Sequence, residues 1–161
     1  MLNDLRCKTV TENNQDSAVK QPFNRRQVRS LILHVLYALE AYDDQVSIES
    51  VVTMLNRGYD INIPLDGEIV ATAREIAEKK DAIDEQMLPF LKGWKLDRLG
   101  LCTKIILRMG IWELFNTYTP GHIVINEAIE LAQGFSEKDA YKFVNGVLDQ
   151  AFKQRQSSVL E

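Results

Sequence analysis

The chain has 161 residues, 45% of them hydrophobic, which is normal for one soluble globular domain or for two small subdomains that share a core. Its formal net charge of −4 argues against a non-specific nucleic-acid coat, because Lys and Arg supply most of that affinity, so any nucleic-acid binding must use a local basic patch. The two cysteines are too few for a disulfide framework, and the two histidines make a metal site improbable, so neither a metal nor a cofactor is expected. No long apolar run or signal pattern is found, which predicts a cytoplasmic protein without a membrane segment.

The N-terminal part of the chain predicts a tail followed by a helix. Residues 1–22 are polar and carry no apolar period, which is typical of a flexible tail. Asn24 is a favoured N-cap residue, and the apolar residues after it recur at helical spacing until Asp43 and Asp44 interrupt the pattern. The first helix is therefore predicted from about Asn24 to about residue 42.

Positive charge is concentrated at the start of this helix. No acidic residue lies between Asp16 and Glu40, and this interval contains the basic residues Lys20, Arg25, Arg26 and Arg29. Arg25 and Arg29 are four residues apart and share a helix face, and the free amides of a helix N-terminus suit phosphate. The cluster predicts a phosphate-binding surface, although an arginine trio on a helix is also often only a solvated face.

Two further helices are predicted before the middle of the chain. Ser47 caps a short helix that ends near Gly58, where glycine can adopt the left-handed C-cap geometry. From Asp66, apolar residues keep helical spacing to about Leu91, which predicts one long helix with Gly93 as its stop.

The second half of the chain holds three predicted helices, over residues 101–116, 122–133 and 137–154. The helix over 101–116 is apolar nearly all round, so we expect it to be the most buried. A capping box from Ser136 to Asp139 opens the last helix. With no convincing strand pattern, the fold class is all-α with about seven helices.

Trp94 and Trp112 are predicted to be core residues. Arg108 is predicted to pair with an internal carboxylate such as Glu113 or Glu127.

Three segments carry a family resemblance: Leu107–Leu114, Ile125–Ala132 and Lys142–Asp149. The last of them places a cation, an aromatic ring, an amide and Gly146 in a helical stretch. Glycine inside a helix costs about 1 kcal/mol relative to alanine, so we expect another backbone or a ligand to approach Gly146 closely. Together the three segments resemble the NusB family of bacterial transcription antitermination factors, over roughly residues 24–153.

The resemblance implies a fold and a function. The fold would be a NusB-like helical domain over 23–155, with two packed helical subdomains at about 23–93 and 94–155 and a C-terminal tail at 156–161. Such proteins bind the boxA element of nascent single-stranded RNA together with a small-subunit ribosomal protein, called NusE in this role, and act on the RNA polymerase elongation complex. The RNA-binding residues carried over are Arg25, Arg26, Arg29, Asp139, Lys142 and Phe143.

The resemblance also places the ribosomal partner at Tyr37 and around Thr103. Family members commonly carry an acidic residue at the position of Thr103, so we predict that this partner interface is less sensitive to salt than a charged one.

Alternatives to this interpretation remain at the sequence level. No phosphate loop, nucleophile elbow or metal-binding pair is found, and Glu127 and Glu130 are better explained as a solvated helix edge, so an enzyme is not expected. A helical scaffold that binds only proteins is one alternative, and a detached NusB-like module of an RNA methyltransferase is another. Phe143, taken alone, would more often be a core residue. The RNA sequence, the role of the tail and the choice between monomer and homodimer stay open.

Overall fold

The fold consists of helices throughout the part of the chain that the structure describes. The computed structural model describes residues 22–159, so the tail predicted for residues 1–22 lies outside this range except for its last residue. The helices are α1 Arg25–Ala41, α2 Ile48–Tyr59, α3 Glu68–Glu78, α4 Lys80–Met87, α5 Leu101–Asn116, α6 Gly121–Phe135 and α7 Ala140–Val159. Two 3-10 turns, Leu88–Phe90 and Leu96–Arg98, connect α4 to α5. Seven helices and no strand within residues 22–159 confirm the all-α prediction.

The chain divides into two compact units between Ala71 and Thr72. Unit 1 contains α1 and α2, unit 2 contains α4 to α7, and the division falls inside α3. Among the helices of residues 22–159, none combines the length and the apolar character that crossing a membrane requires.

In unit 1, α1 begins as its sequence predicts. Asn24 Oδ1 accepts a hydrogen bond from the Gln27 amide at 2.8 Å, and Gln27 Oε1 accepts one from the Asn24 amide at 2.9 Å. This reciprocal pair satisfies two backbone donors at the helix start. The helix packs against α2. Its buried side chains form the predicted stripe of Val28, Leu31, Ile32, Leu33, Val35, Leu36 and Leu39.

The second helix starts as predicted and ends at Tyr59, one residue beyond Gly58. Ser47 is its N-cap and accepts a hydrogen bond from the Ser50 amide at 3.2 Å, which confirms the prediction. The left-handed C-cap residue is Asp60, with φ of 51°, so the assignment of this role to Gly58 is wrong. Asp tolerates the left-handed region better than most residues, because its short polar side chain can bond locally.

The predicted long helix from Asp66 to Leu91 is wrong as a single element. It is divided at Lys79, whose ψ of 11° departs from helical geometry, and a 3-10 turn replaces its final part. No residue from 77 to 82 is buried, whereas Ile76 and Ile83 on either side are. Because helices of this length depend on tertiary packing, a solvated stretch can bend without disturbing the core. Gly93, with φ of 85°, does follow the last turn as predicted.

The core of unit 2 is built around α5, which contacts α4, α6 and α7. Nine residues of α5 are buried, against seven of α1, which confirms that α5 is the most buried helix of the described chain. Gly110 allows α7 to approach, because a Cβ at this position would lie 2.8 Å from the Leu148 methyl carbons. The absence of a side chain here sets the close packing of the two helices.

One ion pair is nearly enclosed in unit 2. The Arg108 guanidinium on α5 donates to both carboxylate oxygens of Asp84 on α4, at 2.6 Å each. The sequence predicts pairing with an internal carboxylate such as Glu113 or Glu127, and the carboxylate in this two-point contact is that of Asp84. An arginine fork and a carboxylate fit each other in two parallel hydrogen bonds, which ties α4 to α5.

The last helix begins three residues later than predicted. Ser136 ends α6 with φ of −97° and ψ of 175°, and Asp139 has φ of 66°, so α7 begins only at Ala140. The predicted capping box is therefore wrong, since a left-handed Asp139 cannot occupy the first turn of the helix. At its other end α7 continues to Val159, within the segment predicted as the tail 156–161.

Candidate nucleic-acid interface

The arginines predicted to bind RNA lie in the first turns of α1, in unit 1. Arg25 and Arg26 are exposed and Arg29 is half-buried, while Lys20 lies outside the described residues. Arg25 Nη1 contacts both carboxylate oxygens of Glu68, the first residue of α3, at 2.7 and 2.9 Å. Both side chains remain more than half exposed, so solvent screens this pair and its contribution to stability is about 0–1 kcal/mol. A phosphate can therefore replace Glu68 at Arg25 at small cost.

The second predicted group lies at the start of α7, in unit 2. Asp139 lies directly before the helix, and Lys142 and Phe143 lie in its first turn. Lys142 Nζ lies 3.1 Å from an Asp139 carboxylate oxygen, and both side chains are more than half exposed. Phe143 is half-buried, and its ring centroid lies 5.6 Å from that of Trp94 with an interplanar angle of 59°. Phe143 is therefore part of an aromatic pair that reaches the surface.

Trp94 is not a core residue, which corrects the sequence-based prediction. Its side chain is 60% exposed, whereas Trp112 is half-buried. An indole is usually largely buried in a folded protein because of its large apolar surface. The prediction from residue type is wrong here because basic residues flank Trp94 on both sides and favour exposure of this segment.

These flanking cations are functional candidates that sequence reasoning did not identify. Lys92, Gly93, Trp94, Lys95 and Arg98 line an open pocket of about 360 Å³ in unit 2. The signal that could have found them is basic residues interleaved with an aromatic one in the segment between α4 and α5, a pattern typical of nucleic-acid binding.

The two predicted partner residues differ in accessibility. Tyr37 on α1 is 44% exposed and presents a large aromatic side chain to solvent. Thr103 on α5 is only 3% exposed, and its hydroxyl donates to Glu137 Oε2 at 2.9 Å. A partner that approaches this region would therefore contact neighbours of Thr103 more readily than its own side chain.

Glu137 is the neighbour that sequence reasoning missed. Its carboxylate lies against Gly100 so closely that a Cβ on Gly100 would overlap it. Gly100 precedes the first turn of α5 and has no side chain that could cap the helix. The Glu137 carboxylate lies near this helix N-terminus, where the helix dipole stabilises a negative charge. An acidic group thus lies beside Thr103, although it comes from the segment between α6 and α7.

Cys102, the neighbour of Thr103, responds to the same environment. The thiol is half-buried, and burial raises its pKa above the ordinary value, with the Glu137 carboxylate raising it further. Both causes disfavour the thiolate, which is the reactive form of cysteine. Cys102 is therefore a structural thiol in unit 2.

Gly146 lies one turn beyond Phe143 on α7. It is exposed, and a Cβ placed there would meet no atom of the described residues within 4 Å. The expectation that another protein backbone approaches Gly146 is therefore wrong within residues 22–159. The alternative, approach of a ligand, stays a prediction.

Comparison with known proteins gives one consistent family. The family model described as the NusB family matches residues 26–153. The transcription antitermination protein NusB of Staphylococcus aureus is 35% identical over 126 residues, which cover 78% of this chain and 95% of that protein. NusB of T. maritima has a TM-score of 0.68 at 26% identity, covering 83% of this chain and 94% of that chain. A chain in the crystal structure of a plectonemic RNA supercoil has a TM-score of 0.71 at 26% identity, and the match covers 83% of this chain and 97% of that chain.

Proposed function

Since this chain belongs to the NusB family of transcription antitermination factors, we propose that it binds boxA-type single-stranded RNA together with a small-subunit ribosomal protein, NusE, and modifies elongation by RNA polymerase. It acts in the cytoplasm by binding and not by catalysis. The observation that carries the proposal is that two separate surfaces combine positive charge with groups suited to RNA, one at the start of α1 and one at the start of α7.

The surface at the start of α1 binds phosphates. Arg25 and Arg26 are exposed, and guanidinium groups form charge-assisted, often bidentate hydrogen bonds with phosphate oxygens. Each phosphate neutralised in this way releases counterions, so affinity falls as salt rises. At Arg25 the phosphate takes the place of the Glu68 carboxylate, whose nearer oxygen lies 2.7 Å from Nη1.

The surface at the start of α7 binds bases as well as phosphates. Specific recognition of single-stranded RNA needs aromatic rings on which bases stack and polar groups that read base edges. Phe143 supplies a ring, Asp139 an acceptor for base amino groups, and Lys142 a cation for the backbone. The similar chain found in the structure of an RNA supercoil supports RNA as the ligand class.

The ribosomal partner binds at Tyr37 and near Thr103. Because Thr103 is buried, the contact near it is made by Glu137, an exposed residue whose carboxylate the Thr103 hydroxyl holds in place. Glu137 would restore the acidic group that the sequence at position 103 lacks. The interface should then depend on salt more strongly than the sequence alone predicts.

The comparisons support the antitermination factor. The relative whose length the match covers to 95% is named as an antitermination protein, which supports this function. A protein-only scaffold would not need exposed arginines at a helix start or an aromatic pair at the surface. We keep the scaffold as the alternative outcome of the experiment.

Calorimetry on the purified chain, NusE and a boxA-type RNA tests the proposal. Binding free energies are coupled reciprocally, so if RNA tightens NusE binding, NusE must tighten RNA binding by the same factor. We expect weak RNA binding by the chain alone, because of its net charge of −4, and tighter binding by the pair. RNA affinity that does not change with NusE would reject the cooperative proposal, and no RNA binding in either case would leave the scaffold.

Two variants locate the partner contacts. Tyr37→Ala and Glu137→Gln should each weaken NusE binding, and Glu137→Gln should also reduce its salt dependence, while Tyr118→Ala serves as control because Tyr118 is also exposed. Equal NusE affinity for all three variants would assign the interface elsewhere.

A further inference from the structure

The segment between α4 and α5 fixes an aromatic side chain at the surface of unit 2. Lys92 and Gly93 both have positive φ, 49° and 85°, which turns the chain sharply before Trp94. The Trp94 amide donates to the Leu91 carbonyl at 3.0 Å, and the Arg98 amide to the Lys95 carbonyl at 3.0 Å. These bonds hold the backbone on both sides of the exposed indole.

The indole is supported on one side. Phe143 lies 5.6 Å away in a tilted arrangement, and tilted aromatic pairs at this distance stabilise each other. With 60% of its side chain exposed, Trp94 still offers a large part of its surface to a ligand. Because Phe143 also belongs to the RNA surface at the start of α7, this surface continues onto Trp94.

The charge around the indole is positive. Lys92, Lys95 and Arg98 line the same open pocket of about 360 Å³. Within residues 22–159, none of these three cations is held in an ion pair. Asp97 is the single acidic residue of the segment 92–98. On a chain of net charge −4, this local excess of cations selects an anionic ligand.

We propose that Trp94 is a base-stacking site for single-stranded RNA, with Lys92, Lys95 and Arg98 as contacts for the adjoining phosphates. A nucleotide next to the one at Phe143 stacks on the indole, and the strand then passes over the pocket. Stacking on an aromatic ring with cations along the backbone is the usual basis of single-strand binding. The proposal rests on the RNA-binding function proposed above and extends it by a defined subsite.

Intrinsic fluorescence gives a direct test, because the chain has only two tryptophans. In a Trp112→Phe background Trp94 is the single reporter, and stacking of a base on it should quench its emission as boxA-type RNA is added. Quenching by poly-glutamate but not by RNA would overturn the proposal in favour of an acidic protein ligand. Circular dichroism checks that the Trp112→Phe chain keeps its helix content.

Affinities of variants give the second test, measured by anisotropy of a labelled boxA-type RNA. Trp94→Ala should weaken binding roughly tenfold or more, and Trp94→Phe should largely restore it because a ring is retained. Lys95→Ala should reduce the salt slope, whereas Lys79→Ala, which also removes one lysine of unit 2, should not. If the unsubstituted chain binds RNA, the Trp94 variants bind it equally well and RNA does not quench Trp94 in the Trp112→Phe chain, this subsite is refuted while the proposed function stands. No RNA binding by the unsubstituted chain with NusE present would refute both.

Discussion

Arg108 and Asp84 form a two-point contact in unit 2, with hydrogen bonds of 2.6 Å from Nε and Nη2 to the two carboxylate oxygens. Their side chains are 8% and 16% exposed, so water does little to screen either charge. Removal of one partner would leave the other charge buried and uncompensated, which is far more costly than disruption of an exposed pair.

We therefore expect Asp84→Asn or Arg108→Met to lower the free energy of unfolding by about 3–5 kcal/mol. The double variant Asp84→Leu with Arg108→Met should lose less than either single variant, because it leaves no unpaired charge. Urea unfolding followed by circular dichroism measures these differences. Lys79→Ala, which breaks the exposed pair with Glu75, is the control and should change stability by less than about 1 kcal/mol. Equal effects of the exposed and the buried change would contradict this account.

Gly110 and Gly146 should respond in opposite directions to the same substitution. Gly110→Ala brings a methyl group to 2.8 Å from the fully buried Leu148, so we expect destabilisation of about 1–3 kcal/mol. Gly146→Ala meets open space and should stabilise the helix by about 1 kcal/mol.

The same Gly146→Ala variant tests whether a ligand approaches that position. If RNA lies against α7 at Gly146, the added methyl group should weaken RNA binding even though the fold is more stable. Anisotropy with boxA-type RNA and thermal unfolding on the same samples separate the two effects. Unchanged RNA affinity in a stabilised variant would exclude a close approach of RNA at this site.

The ion pair between Arg25 and Glu68 predicts that one substitution can increase RNA affinity. Glu68→Gln removes the competing carboxylate from Arg25, so RNA affinity should rise, most clearly at low salt. Replacement of Arg25, Arg26 and Arg29 by alanine should lower both the affinity and its salt slope, the slope by about 0.7 for each phosphate that is no longer neutralised. Arg57→Ala, at the end of α2, is the matched control in the same unit. Binding that is indifferent to the triple change would remove α1 from the RNA surface.

Cys102 should become more reactive when the chain unfolds. Its pKa is raised in the folded chain, first by burial and then by Glu137, so the folded thiol keeps its proton at a pH where the unfolded thiol has begun to lose it. The contribution of the Cys102 thiol to the stability of the fold is therefore fully present below the pKa of the unfolded thiol. It is lost as the pH rises through the pKa of the folded thiol. In a Cys7→Ser background, alkylation by iodoacetamide should be slow in buffer and fast in urea. Glu137→Gln should accelerate alkylation of the folded chain, and an unchanged rate would exclude a charge effect from Glu137.

Local signals in the sequence were sufficient for much of the fold. The N-cap role of Asn24 follows from its own residue type, and the burial of α5 follows from apolar residues on all its sides. Such features depend on interactions within a helix or on simple hydrophobicity. They can be predicted because nothing distant in the chain competes with them.

The sequence failed where distant residues decide the outcome. Arg25 and Glu68 are 43 residues apart and Arg108 and Asp84 are 24 apart, and no spacing rule links them. The exposure of Trp94 depends on two successive left-handed residues, Lys92 and Gly93, of which only Gly93 was suggested by its residue type. For the same reason the aromatic pair of Trp94 and Phe143 could be found only in three dimensions.

The chain order of the helices in unit 2 has a kinetic consequence. Three of the helix pairs in contact, α4 with α5, α5 with α6 and α6 with α7, are consecutive in the chain, while α5 and α7 have only α6 between them. Four residues separate α5 from α6, and four separate α6 from α7. Contacts between near neighbours require little loop closure, so helical proteins of this kind reach the native state in microseconds to milliseconds. Because α5 joins three partners, substitutions such as Ile106→Val should slow refolding, whereas those near the exposed end of α7 should mainly accelerate unfolding.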